Sequence, residues 1–155
     1  MKFKFISHRG NLAGSMPEFE NRTDYIDKAL DLGFDVEVDL WSYENQFFLG
    51  HDEGKHLVTL DWLIEREKRL WIHIKNEEAL IQMMKTDLHY FFHESDLATL
   101  TSRGFVWVYP GKQPIEGSIA VLPEVHHDPI DSCIGICSDV IAQYKYKIEQ
   151  KNKDI

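Results

Sequence analysis

Residues 21–53, "NRTDYIDKALDLGFDVEVDLWSYENQFFLGHDE", hold the pattern on which the fold turns. Ile26, Ala29 and Leu30 fall on one stripe of a helical repeat, and Gly33 stands where such a helix stops. "DVEVDL" (35–40) then alternates with the two-residue period of a strand, which places Glu37 and Asp39 on one face and Val36, Val38 and Leu40 on the other. A few polar residues later "FFLGH" (47–51) reads as a second strand, so the two runs form a hairpin whose return brings His51 back near the carboxylates.

Outward from this stretch, further strand-like runs occur at "KFKFISH" (2–8), "LWIHIK" (70–75), "LHYFFHE" (88–94), "FVWVYP" (105–110), "SIAVLP" (118–123) and "CIGICSD" (133–139). Helical patterns are expected over 59–69, 76–85 with Asn76 as its cap, 95–104 ending on Gly104, and 139–153. Strand followed by helix, repeated, predicts parallel β/α units rather than a sandwich. With 155 residues, 43% of them hydrophobic, the chain suits one domain spanning 1–155.

The formal net charge of −9, with no Lys/Arg block, argues against nucleic acid and anionic membranes as partners. "MKFKFISHRG" lacks the apolar stretch of a signal peptide, and no run is long enough to span a bilayer, so a cytoplasmic location is expected. Cys133 and Cys137, four apart, match neither a disulfide framework nor CxxC metal spacing and read as buried thiols.

Three strands carry ionisable groups on one face. "KFISH" brings His8 to the same face as Ile6, and "LWIHIK" sets His73 and Lys75 against Ile72 and Ile74. If helices cover the outer face of a parallel sheet, these groups look inward, where unpaired charge is costly. A divalent cation on Glu37 and Asp39 would compensate the paired carboxylates, leaving Arg9 and Lys75 to meet an anionic substrate. Two histidines, His8 and His51, beside such a site fit acid/base chemistry on a phosphoryl group.

The ordered set "SHRG" (7–10), "EN" (20–21), "ALDLGFDVEVDL" (29–40), "FFLGHD" (47–52), "WIHIK" (71–75) and "IGICSD" (134–139) resembles the glycerophosphodiester phosphodiesterase family of the phosphatidylinositol phospholipase C-like phosphodiesterase superfamily. The resemblance implies a (β/α)8-type barrel with a hairpin after the second strand and a bound Mg or Ca ion, acting on a small-molecule phosphodiester. It makes His8 and His51 the catalytic pair, here as base and acid respectively, and Arg9 and Lys75 the phosphate-binding cations. Glu37 and Asp39 match metal ligands. Glu20 matches an acidic residue that either touches the metal or orients Arg9.

Three departures bear on that reading. The family's PENT element reads "PEFEN" (17–21), so either Glu18 or Glu20 could match its acidic residue, and Glu20 is aligned because it keeps the family-like spacing to Gly33. "IHIK" puts His73 where the family has an acidic ligand, and imidazole shifts preference toward Mn or Zn. The chain is also short, since a β/α barrel takes at least about 200 residues. The expectation is therefore an α/β fold of reduced TIM-type, a (β/α) barrel with several helices missing and a β-hairpin after strand 2. The lost helices would bare apolar strand faces around Phe105, Trp107, Ile119 and Val121, to be covered by loops or by a second copy in a homo-oligomer. The expected function is metal-dependent hydrolysis of a glycerophosphodiester-like molecule by His/His acid–base catalysis. Two alternatives stand beside it: a silent domain of the same fold that binds phosphorylated ligands or partners, and a related enzyme acting on sugar- or lipid-linked phosphodiesters.

Overall fold

A computed structural model of the chain describes residues 2–153. The alternating run at the centre of the sequence forms the longest strand, β2 (Asp35–Tyr43), preceded by helix α1 (Thr23–Asp31). Gly33 has φ 91° after that helix, a left-handed conformation that suits a residue without Cβ at a helix stop. Strand β1 (Lys4–His8) runs parallel to β2, and β3 (Gln46–Leu49) returns antiparallel to it as the expected hairpin. A short β4 (His56–Val58) extends that antiparallel arm.

Strands β5 (Leu70–Ile74) and β6 (Tyr90–Phe92) lie on the other edge of β2, in parallel order. The other direction from β1 leads through β10 (Gly135–Ser138), β9 (Ile119–Val121) and β8 (Val106–Val108), all parallel, to β7 (Ala98–Leu100), which is antiparallel to β8. Helices α2 (Leu60–Glu65), α3 (Glu77–Met83), α4 (Pro123–His126) and α5 (Ile141–Lys151) complete the described elements.

The result is a curled ten-stranded mixed sheet, a half-barrel with five short helices, and not the reduced (β/α) barrel expected from the sequence. The reason lies between β6 and β8. Residues 95–104, expected to be a helix, contain β7, where Ala98–Leu100 pair along the free side of β8, so tertiary pairing overrides the helix preference of Ala98 and Leu100. Without a helical crossover there, the second half of the sheet adds an antiparallel strand instead of continuing the parallel order that a barrel requires.

Alternation sorts the side chains. Val36, Val38, Leu40, Ile72 and Ile74 face outward and are buried by Ile26 and Ala29 of α1, Leu63 of α2 and Ala79 and Met83 of α3. Asn76 caps α3 as expected, accepting from the Ala79 backbone N–H at 3.2 Å. Inside the curl, Ile6, Trp71, Phe91, Trp107, Ile119, Val121 and Cys137 pack together. Trp107, Ile119 and Val121 were expected on bared outer faces; they are instead buried on this inner side, because the strand period turns them inward. Both cysteines are buried and free. Among the described residues no helix is long and apolar enough to cross a membrane.

Register places the chemistry. β1 sets His8 opposite Glu37, and β5 sets His73 opposite Asp39. These four inward residues therefore meet on neighbouring strands near the C-terminal end of the parallel array.

Candidate active site

The stretch after β1 turns sharply. Arg9 has φ 57° and Gly10 φ 96°, and a Cβ on Gly10 would lie 2.5 Å from Tyr25 Cδ1, so the turn needs glycine. That turn carries the Arg9 side chain back across the end of β2. Arg9 Nε lies 3.0 Å from Asp39 Oδ2, close enough for an ion pair although its N–H has no aligned hydrogen-bond acceptor. Arg9 Nη1 donates to Glu20 Oε2 at 3.2 Å.

Glu37, Asp39 and His73 each offer a ligand atom, and these atoms all lie within 4.8 Å of one another. His73 Nε2–H donates to the His93 carbonyl at 2.8 Å, which turns Nδ1 toward the carboxylates, 3.3 Å from Asp39 Oδ1 and 3.7 Å from Glu37 Oε1. Protonated, that nitrogen pairs with Asp39; deprotonated, it offers a lone pair to a cation held between the three. Glu37 Oε2 and Asp39 Oδ1 are buried without hydrogen-bond partners. Two buried carboxylate oxygens left open, with an imidazole aimed at them, fit a divalent ion. The mixed donor set leans toward Mn or Zn rather than Ca.

Glu20, expected as a further ligand, lies outside this trio. Its carboxylate is occupied by Arg9, Asn11 Nδ2 at 2.9 Å and Ser15 Oγ at 2.8 Å, so it orients Arg9. Burial would raise its pKa, but the hydrogen bonds from Asn11, Ser15 and Arg9 outweigh that and keep it low. Lys75 Nζ, just past β5, sits 3.8 Å from Asp39 Oδ1.

The two carboxylates are driven apart. Burial, then the Asp39 charge, raises the pKa of Glu37. Burial also acts to raise Asp39, but the contact with His73 and the charges of Arg9 and Lys75 hold it far below the usual carboxylate range. Asn21, in the left-handed region at φ 62°, clamps Asp39 from both sides, donating from Nδ2 to Oδ2 at 2.9 Å and accepting from the Asp39 N–H at 3.0 Å.

His8 Nδ1–H donates to Asp139 Oδ1 at 2.7 Å, leaving Nε2 3.8 Å from Glu37 Oε2. Burial pulls the His8 pKa down, yet the Asp139 hydrogen bond and the Glu37 charge more than reverse it. Asp139 is itself held by Asn11 Nδ2 at 2.9 Å, while Glu124 accepts from the Asp139 N–H at 3.0 Å and from Ser138 Oγ at 2.8 Å. His51, at the end of the hairpin return, is exposed, and its Nδ1–H donates to Asp52 Oδ1 at 2.7 Å. Burial and then the Arg9 charge lower its pKa.

His8, Arg9, Glu37, His51, His73 and Lys75 line one cavity of about 470 Å³. Six of the eight residues expected from the sequence thus line one cavity, Asp39 lies buried against Arg9, His73 and Lys75, and Glu20 pairs with Arg9. Sequence reasoning assigned no role to Asp139, Asn11, Asn21 or Glu124. Asp139 closes "IGICSD" one residue beyond β10, at the same end of the sheet as His8, and that position was the available sign. Asn11 and Asn21 act from loops and Glu124 from the four-residue α4, none of which strand periodicity reports.

No family model, no curated protein and no solved structure matches this chain.

Proposed function

We propose that this protein is a metal-dependent phosphodiester hydrolase acting on a glycerophosphodiester-like small molecule. One observation carries the reading: a three-ligand acidic and imidazole cluster with open buried oxygens shares its cavity with two cations and two histidines. Glu37, Asp39 and His73 would hold the ion, which when bound supplies Lewis-acid polarisation of a phosphoryl oxygen. Arg9 and Lys75 neutralise the charge that builds on the phosphoryl group.

In this reading His8 and His51 form the acid–base pair. Asp139 fixes Nδ1–H, so Nε2 is the nitrogen presented to the cavity, the arrangement by which a carboxylate sets the tautomer of a working histidine. His51, exposed at the cavity edge beside Gly50, is the second member of that pair. Glu20 and Asn21 hold Arg9 and Asp39 in register, so neither cation nor carboxylate reorganises when substrate enters.

The test is release of alcohol from a panel of glycerophosphodiesters and a generic aryl phosphodiester with Mg, Mn or Zn added, using His8→Ala as control. Metal-dependent turnover lost in the variant supports the reading. Equal product from both proteins, or tight binding of phosphate esters with no turnover, removes it and leaves a phosphorylated-ligand-binding domain.

A further inference from the structure

Asn11, one residue past the glycine of the turn after β1, has a fully buried side chain whose hydrogen-bonding capacity is used in full. Nδ2 donates to Glu20 Oε1 and to Asp139 Oδ1, each at 2.9 Å. Oδ1 accepts from the Met16 N–H at 3.2 Å and from the Tyr25 hydroxyl at 3.1 Å. A primary amide has two donor protons and an acceptor with two lone pairs, so nothing is left over. The Met16 N–H can only donate, which fixes that end of the amide as oxygen and turns the NH2 to the carboxylates.

Anchoring the loop does not require those two Nδ2 bonds. The Asn11 N–H donates to the His8 carbonyl at 2.9 Å, its carbonyl accepts from Ser7 Oγ at 2.8 Å, and Oδ1 already ties it to Met16 and Tyr25. What Nδ2 adds is contact with two carboxylates that each lead to a different functional group. Asp139 Oδ1, which takes one of its protons, also accepts from His8 Nδ1–H at 2.7 Å. Glu20, which takes the other, accepts from Arg9 Nη1 through its second oxygen at 3.2 Å. Two like charges within reach of one nitrogen repel unless donors stand between them, and a carboxylate or an apolar side chain at position 11 supplies none.

We propose that Asn11 is a positioning residue that couples the two halves of the site, holding His8 through Asp139 and Arg9 through Glu20 in one register. What those two groups do rests on the phosphodiesterase reading above; the coupling is a property of the hydrogen-bond path. Because one nitrogen serves both carboxylates, loss of its protons frees the histidine and the arginine together, whereas loss of a donor on one arm frees only that arm. Ser15 is such a one-arm donor: its exposed hydroxyl reaches Glu20 Oε1 at 2.8 Å.

The path is read first without substrate, by nitrogen NMR of the metal-free protein at a pH where the His8 ring is neutral. Wild type should show the His8 proton on Nδ1 and a rotationally restrained Arg9 guanidinium. Asn11→Ala should give mixed His8 tautomers and a freely rotating guanidinium, while Ser15→Ala should leave His8 as in wild type. Asn11→Asp, which keeps the volume and the Oδ1 contacts, should behave as the alanine variant and stands in for it if that chain does not fold. An unmoved signal at His8 or at Arg9 in the Asn11 variants overturns the coupling. So does failure of both to fold while Ser15→Ala folds, which makes the residue structural. On an aryl phosphodiester that wild type turns over, Asn11→Ala should lower kcat by about 10- to 100-fold and raise KM together, and Ser15→Ala should raise KM alone. A fall in kcat at unchanged KM confines Asn11 to the His8 arm and overturns the coupling. Absence of turnover in wild type removes the hydrolase reading and leaves the NMR result to decide.

Discussion

His89 should make the fold acid-sensitive by an amount that the structure sets. Its side chain is buried, 3% exposed, with Nε2 2.8 Å from Thr101 Oγ1 and its ring 4.2 Å from Trp71. Burial, with the charges of Arg103 and Lys4, lowers its pKa from 6.5 to about 4. A depressed histidine stays neutral in the folded chain while the unfolded chain takes up a proton below pH 6.5, so stability is intact above that value and falls as pH drops toward 4. Linkage puts the loss at about 2 kcal/mol by pH 5 and about 3 kcal/mol by pH 4. Other carboxylates also titrate there, so the measurement is a difference: urea unfolding of wild type and His89→Phe at pH 7, 6, 5 and 4. Phenylalanine keeps the contacts with Trp71 and Phe105, and Thr101 retains the bond from the Phe105 N–H. The wild-type curve should fall away from the variant's by those amounts. Parallel curves would show that His89 titrates normally and that its burial is not what the packing implies.

Four further outcomes follow from the site and its turn. Glu37→Gln removes one ligand oxygen, and calorimetry should show much weaker Mn binding; unchanged affinity would dismiss Glu37 as a ligand. His51→Ala should cut kcat by about 10²- to 10⁴-fold with an unaltered circular dichroism spectrum, since the side chain is exposed. Asp139→Asn removes the carboxylate charge that raises His8, so NMR titration of the metal-free protein should find the His8 pKa lower than in wild type. Gly10→Ala forces a Cβ against Tyr25 at positive φ and should cost about 1–3 kcal/mol of stability in denaturant unfolding.

Much of the site was legible because strand alternation is a local property. The period of "DVEVDL" is enough to place Glu37 and Asp39 together, and the short polar turn before "FFLGH" is enough to return His51 toward them. Whether the sheet closes is not local. It depends on which strand each run selects as neighbour, and residues 95–104 satisfied a helical pattern while pairing as β7. The same limit hid Asp139, whose partner His8 is 131 positions away in the chain. Glu20 was ambiguous for a related reason: the path of residues 10–20, rather than any spacing within it, turns its carboxylate to Arg9, Asn11 and Ser15.

Strand β2 borders β1 along Asp35–Glu37, β5 along Val36–Leu40 and β3 along Leu40–Tyr43. Asp39 lies where the strand passes from the first neighbour to the last, and the Gly50 N–H bonds to its carbonyl at 3.1 Å, one residue before His51. The hairpin is thus hinged at the carboxylate it serves. Insertions at its tip, around Glu44 and Asn45, would alter what the arm meets outside the sheet while leaving the Gly50–Asp39 joint, and so the aim of His51, unchanged. That separation makes the arm a natural place to graft new recognition onto this chain without retuning its chemistry.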